Sequence, residues 1–431
     1  MRYEPNTRGD VNDRVRLVLG DDELLITEGY DVQQGVLTQP SAFSLRLGHG
    51  GLARELFAKY PPRTKFQLYI GEALRFTGWT DGYRGAGQAG ATEVTFNGRD
   101  VLARLHDACV RADKTYTNRT YGDLVFSAIQ DATGEATVIS TENTSNRLTL
   151  AGLNAAGGAG AGSGVGKKRD PIVATSFQDG LSKAITQIVA DQNAAAGNEG
   201  DIKQKLATNK AKNAQGAMLA KAGERYYEFL KKELDRAGLC LWATADGEAY
   251  VLAAPDGNQA PIAALIRRRG TSGNVVNVLA ATYTNDTSRR FSEAIVLARG
   301  GGKKTGRTTS SATYADPEMK ALGFDRPKVV RDAKCSDAKR AEYFARRTIA
   351  EANRAGINYT CTVAGHTFPT LRTGERAVWT PDTVVYVQDD ELGIEGPWYV
   401  EQVAFKRDPK TTTELTLLRI QDLVFAEDAS L

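Results

Sequence analysis

Leu74 to Val110 reads LRFTGWTDGYRGAGQAGATEVTFNGRDVLARLHDACV, and it sets the terms for the rest of the chain. An apolar strand ends in Phe76-Thr77-Gly78-Trp79, and the glycines from Gly82 to Gly90 predict a loop. A second strand, Val94-Thr95-Phe96, runs into Asn97-Gly98-Arg99-Asp100, and a short amphipathic segment closes on Cys109. The same texture extends upstream. Val15–Leu19 and Leu24–Thr27 alternate apolar and polar residues on either side of Gly20-Asp21-Asp22, a hairpin signal; Phe43–Leu47 and Phe66–Ile70 continue it. Short strands at close spacing predict a small barrel or sandwich.

Two helices are expected after Val110. Thr120 can cap the first with Asp123 three places on, and Leu124, Val125, Ala128, Ile129 and Ala132 form its buried stripe before Gly134. The second runs from Glu224 to Ala237, buries Tyr227, Leu230 and Leu234, and stops at Gly238. It feeds a hairpin, Leu239–Trp242 with Tyr250–Leu252, turning at Asp246-Gly247. Between these halves, Ala155–Gly166 is AAGGAGAGSGVG and Ala194–Ala222 is mostly Ala, Lys, Asn and Gln. Such compositions bury too little apolar surface to offset the entropy of ordering, so about residues 155–222 read as a flexible insertion.

Strands resume at Val275–Leu297, followed by a basic glycine-rich loop, Arg299–Arg307. Ser336 is expected to cap a helix running to Ala355 with Ala341, Phe344, Ala345, Thr348 and Ala352 on one face. The chain then returns to strands: Tyr359–Val363, Ala377–Trp379, Val384–Gln388, Trp398–Lys406 and Glu414–Ile420.

Bulk properties exclude several classes. The 431 residues exceed one ordinary core. A net charge of +3 with 25% charged residues forces neither a nucleic-acid nor a membrane partner. Cys109, Cys240, Cys335 and Cys361 lie far apart without a C-x-x-C pair, which argues against structural zinc and a disulfide scaffold. The N-terminus lacks a signal-peptide core and no run is long enough to span a membrane, so the N-x-S/T tripeptides at Asn118, Asn143, Asn285 and Asn358, and Arg8-Gly9-Asp10, are read as chance.

Nor does a reactive constellation emerge. Gly162–Lys168 imitates a phosphate-binding loop, but Ala161 and Lys168 stand where the backbone cradle needs Gly and magnesium needs Ser or Thr. His49, His106 and His366 are unpaired in sequence and read as structural. Gln388-Asp389-Asp390-Glu391 clusters carboxylates between strands, where a solvated turn is expected. No catalytic, cofactor-binding or metal residues are assigned. Trp79 and Trp379, each near a strand end, are the candidate interface residues, because Trp is over-represented at interface hot spots; packing in the core or rim is the alternative.

The motifs F-T-G-W, N-G-R-D, the helix near Ser336 after Arg326–Val330, and W-T-P-D at 379–382 together resemble the baseplate hub proteins of Mu-like contractile-tailed bacteriophages, distantly like the T-even phage hub. The resemblance covers about 10–135 and 224–425 and implies an α+β, mainly β fold. Its expected parts are a first tube-like barrel at 1–110, a small α/β domain at 111–261 holding the insertion, a second barrel from 262–325 and 358–431, and a helical connection at 326–357. It further implies a non-enzymatic virion protein of the tail baseplate, assembled in the host bacterial cytoplasm. A homotrimeric ring would adapt the sixfold tail tube to the threefold spike and help nucleate the tube. Partners would be tail tube, central spike and baseplate wedge or other hub proteins, with DNA passing the lumen without specific binding and no cofactor. The rival readings are a tail-associated cell-wall hydrolase and a generic multi-domain binding protein.

Overall fold

The computed structural model describes residues 11–140, 218–219 and 223–424, apart from short breaks of which the longest are 48–57, 269–276, 299–310 and 333–337. The expected insertion, the glycine-rich 162–168 segment, His49, Cys335 and the caps Thr120 and Ser336 lie outside the described residues.

Seven strands open the chain: β1 (Val15–Leu19), β2 (Asp22–Ile26), β3 (Gly29–Gly35), β4 (Ala42–Leu47), β5 (Lys65–Ile70), β6 (Ala73–Gln88) and β7 (Ala91–Asp100). Their alternation is literal: β1 and β2 both bury every second residue, as one wetted and one covered face require. The expected glycine loop is instead strand. β6 runs through Gly82, Gly85 and Gly87 and pairs with β7 from Gly78↔Asp100 to Gln88↔Ala91, with a register shift between Thr80 and Gly82. Glycine's absent side chain permits this, and at Gly78 the sheet demands it, since a Cβ there would lie 1.9 Å from the Arg99 carbonyl oxygen. Gly98 on β7 is likewise filled from outside, a Cβ meeting Phe43 Cε1 at 2.7 Å. Both motif glycines are thus packing positions.

Next come α1 (Ala103–Asp107), β8 (Thr115–Tyr116), α2 (Tyr121–Thr133), β9 (Val138–Ser140), β10 (Met218–Leu219), α3 (Tyr226–Ala237), β11 (Cys240–Ala243) and β12 (Ala249–Ala253). Helix α3 ends as expected: Gly238 is left-handed at φ 70° and Leu239 N–H reaches back to the Leu234 carbonyl at 3.0 Å. β11 and β12 form the hairpin and β12 pairs in parallel with β9. The three helices and this sheet close one core around Leu105, Leu124, Phe229, Leu230 and Trp242. Since α1 packs here, this unit begins before residue 111.

The remaining elements are β13 (Ala263–Arg267), β14 (Val278–Asn285), β15 (Glu293–Ala298), β16 (Ser311–Ala315), α4 (Pro317–Ala321), β17 (Pro327–Asp332), α5 (Ala338–Gly356), β18 (Ile357–Ala364), β19 (Thr367–Pro369), β20 (Arg376–Val378), β21 (Thr383–Asp389), β22 (Ile394–Arg407) and β23 (Thr411–Arg419). Two differences from expectation stand out. Pro327–Asp332 is a strand rather than the start of a helical connection, and β15, β16 and β17 form a separate sheet under α5 instead of joining the second barrel. Its core is small: Ala294, Val296, Ala341, Ala345 and Ile349. The alanine face of α5 permits that close approach, but the sequence does not say which strands it covers.

One 13-stranded sheet runs through both β regions, in the order β14-β18-β23-β22-β3-β4-β7-β6-β5-β1-β2, with β21 pairing β22 and β13. The joint is β22. Its first half, Ile394–Val400, pairs with β21; after a register shift at Glu401, Gln402–Arg407 pairs with β3. A bulge is the ordinary way to bend a strand and change what it faces. Consequently one apolar core, from Leu17, Leu68 and Phe76 to Val400, Phe405 and Leu417, spans both regions.

Candidate functional site

The two candidate tryptophans occupy different surroundings. Trp79, on β6, is half-buried and lines an open cleft of about 880 Å³ where the first β region meets α1 and the end of α2. Arg63, Asp81, Arg99, Arg104 and Asp107 line it too. The Arg104 guanidinium lies 3.9 Å from the centre of the Trp79 ring while both its terminal nitrogens donate to Glu135 at 2.7 and 3.1 Å. Arg99 forks between two carboxylates, donating to Asp81 at 2.7 and 2.8 Å and to Asp107 at 3.0 and 2.9 Å. Its charge holds the Asp107 carboxyl below the usual range. Arg99 and Arg104 are thus each tied to carboxylates at hydrogen-bond distance. The cleft offers a fixed aromatic face with fixed charges, which suits recognition.

Trp379 is 2% exposed and packs on Phe368 with ring centres 4.1 Å apart. The interface anchor considered for it has no outward face in this chain; burial of a large ring at the seam of two β regions takes its place. Its main chain does the joining: Arg75 Nη2 donates to the Trp379 carbonyl at 3.1 Å, Arg75 Nη1 to Thr380 Oγ1 at 3.3 Å, and Arg75 Nε to Gln34 Oε1 at 2.8 Å. Arg75 is 5% exposed, lies over the Phe405 ring at 5.5 Å, and is held by neutral acceptors, so desolvation pulls its pKa down to about 10.

The same W-T-P-D segment buries Asp382 completely at φ 60°. Its Oδ1 accepts from Tyr399 OH at 2.9 Å and from Asp256 N–H at 3.3 Å, while Oδ2 has no partner among the described residues. Burial raises its pKa to about 7. Asp100, of N-G-R-D, is also buried; it accepts from Ser41 N–H at 2.8 Å and Leu102 N–H at 3.0 Å, and burial lifts it to about 6. Sequence reasoning passed over Arg75 and Asp382. The available signal was a charge between Leu74 and Phe76 in a strand, and an Asp directly after Pro381.

The other described candidates have partners within the fold. His366 is buried, with Nε2 2.7 Å from Tyr30 OH and Nδ1 2.9 Å from Thr413 Oγ1, and burial lowers its pKa to about 3. His106 stacks on Tyr227 at 3.8 Å. Asp389 accepts from the Glu391 and Leu392 amides at 3.1 Å each and from Tyr359 OH at 2.9 Å, which organises a turn. Among the described residues no three His, Cys, Asp or Glu side chains form a metal-binding group, and no helix is long and apolar enough to cross a membrane.

No protein-family model and no curated protein matches the sequence. Solved structures do match the fold. A tail protein from Neisseria meningitidis MC58 superposes with a TM-score of 0.65 at 20% identity over 96% of this chain and 99% of its own. The 43 kDa tail protein of prophage MuSo2 from Shewanella oneidensis gives 0.63 at 15% identity, covering 95% and 99%. A prophage tail protein from Listeria monocytogenes EGD-e gives 0.50 at 12% identity, covering 94% of each chain. The described residues have the mainly β fold of those phage tail proteins.

Proposed function

We propose that the protein is a structural hub of a contractile phage tail, acting as a homotrimeric ring between a sixfold tail tube and a threefold spike. One observation carries the reading: two β regions share a continuous 13-stranded sheet through the β22–β3 joint. A chain built on that joint holds two barrel-like units at a fixed angle, so three copies around an axis offer six similar units to the tube and three to the spike. Likeness to tail proteins over nearly the full length of both chains supports it. In this reading the ring helps nucleate the tube, contacts spike and wedge or other hub proteins, lets DNA pass without specific binding, and carries out no catalytic step. It belongs to the virion and is assembled in the host cytoplasm. The Trp79 cleft, where barrel and helices meet, is the surface assigned to association.

Light scattering on the purified protein tests the ring. A mass three times that of the chain supports it; a single-chain mass at every concentration, also in the presence of tube and spike proteins, contradicts it.

A further inference from the structure

Two surface features of opposite charge remain unused by this reading. Among the described residues β17 pairs with β15 alone, in parallel, and α5 packs on β15 and β16. Pro327, Lys328, Val329 and Arg331 are exposed while Val330 packs on the small core under α5, so among the described residues the strand has one edge without a partner and one face largely uncovered. A strand left this way presents unpaired amides and carbonyls, an arrangement that folded proteins normally protect. Just ahead of it, Leu322 is 68% and Phe324 40% exposed, and Val329 on the strand itself is 58% exposed. The turn carrying them is fixed: Gly323 N–H donates to the Lys320 carbonyl at 3.0 Å and Phe324 N–H to the Met319 carbonyl at 3.1 Å. Basic groups outnumber acids around this apolar centre, where the exposed Asp325 lies 3.9 Å from Lys320. Arg326 and Lys328 lie over the Phe291 ring at 5.0 and 4.7 Å, and Arg331 follows.

The second feature is the turn between β21 and β22. Leu392 is 39% exposed there, between exposed Asp390, Glu391 and Glu395. The Asp389 carboxylate and the left-handed Gly393, φ 66°, hold its shape, and Arg267 donates to Glu391 at 2.8 Å.

We infer that these two surfaces meet between neighbouring copies, the acidic turn of one docking on the basic, apolar turn and edge strand of the next. The occupant is a second copy of this chain because an apolar centre with a basic rim and an apolar centre with an acidic rim complement each other, and a head-to-tail ring requires two different patches per copy. A symmetric contact of β17 with itself would bring Lys328 and Arg331 of both copies together. The inference rests on the ring reading and names the contact that closes it.

The test is a charge exchange on the full chain, read as the self-association constant by sedimentation. Lys328→Glu with Arg331→Glu should weaken association by at least about tenfold, and so should Asp390→Lys with Glu395→Lys. The protein carrying all four substitutions should regain most of the loss. Unchanged melting curves establish folding; should a reversal pair unfold, Lys328→Gln with Arg331→Gln replaces it, and a flatter salt dependence of association is the expected result. Association that persists unaltered in both reversal pairs, or is not regained in the combination, overturns this contact while leaving the ring reading in place. A wild-type chain that never self-associates overturns both.

Discussion

Arg75 Nη2 donates to the main-chain oxygen of Trp379 at 3.1 Å, fastening a cation of β6 to the segment that leads into β21. Together with the β22–β3 pairing, this bond makes the two β regions one body. A buried guanidinium without a carboxylate is tolerable because each of its three nitrogens donates to a neutral oxygen and its carbon lies 5.5 Å from the centre of the Phe405 ring.

Arg75→Ala should therefore destabilise the fold by about 3 kcal/mol or more, since it opens a cavity and leaves Gln34 and the Trp379 carbonyl without their donor. Chemical denaturation measures it. A loss under about 1 kcal/mol would mean that the seam holds without this cation.

Gly78→Ala should be more damaging than a substitution to Ala in a strand ordinarily is. The added methyl would sit 1.9 Å from the Arg99 oxygen, so β6 and β7 must separate. Overpacking against backbone costs about 3 kcal/mol or more, and amide exchange should accelerate along β7. Ordinary stability and protection would contradict the close approach.

Asp382 predicts a pH dependence. Burial holds its carboxyl at about 7, while in the unfolded chain it ionises near about 4. The folded state thus keeps a proton that the unfolded state has released. Its contribution is complete below the unfolded value and is lost as pH rises through about 7, by up to about 1.4 kcal/mol per pH unit on the slope. Asp100, held at about 6, acts in the same direction. His366, depressed to about 3, acts oppositely: its contribution is complete above the unfolded histidine value and declines below it. Asp382→Asn keeps the shape, tolerates the left-handed backbone and removes the titration. The stability difference between Asn variant and wild type should grow in favour of Asn from pH 4 to 8; a difference that is constant with pH would refute the assignment.

Trp379→Ala and Trp79→Ala should separate folding from assembly. Removing the buried Trp379 ring should cost about 3–5 kcal/mol and leave association intact in the folded fraction. Trp79→Ala removes a half-buried ring stacked with Arg104, so its thermal shift should be smaller and its loss of association larger. Equal loss of association in both variants would dissociate the Trp79 cleft from assembly.

Much of the fold is legible in local pattern. Val15–Leu19 shows its alternation, Asp246-Gly247 its turn, and Gly238 its helix stop, because each is decided by residues a few positions apart. Glycines 82, 85 and 87 mislead for the same reason: glycine marks loops on average, whereas here β7 supplies the pairing that a strand needs. The sheet of β15, β16 and β17 was not legible, since strands carry no label for their neighbours and the alanine face of α5 says only that something packs closely. Buried charge was least legible. Arg75 and Asp382 are inside because of what lies across a seam, between residues 304 and 305 positions apart in the case of Arg75, and no spacing along the chain reports that. Trp379 shows the converse, a residue that sequence offers as an interface candidate and whose surroundings are core.

The central claim is a closed ring of three chains, each contributing two units, and electron cryo-microscopy of the purified oligomer measures it most directly. The account predicts end-on views with threefold symmetry, a central channel and six lobes around it. Particles of one chain, or oligomers without a channel or with twofold symmetry, would contradict it.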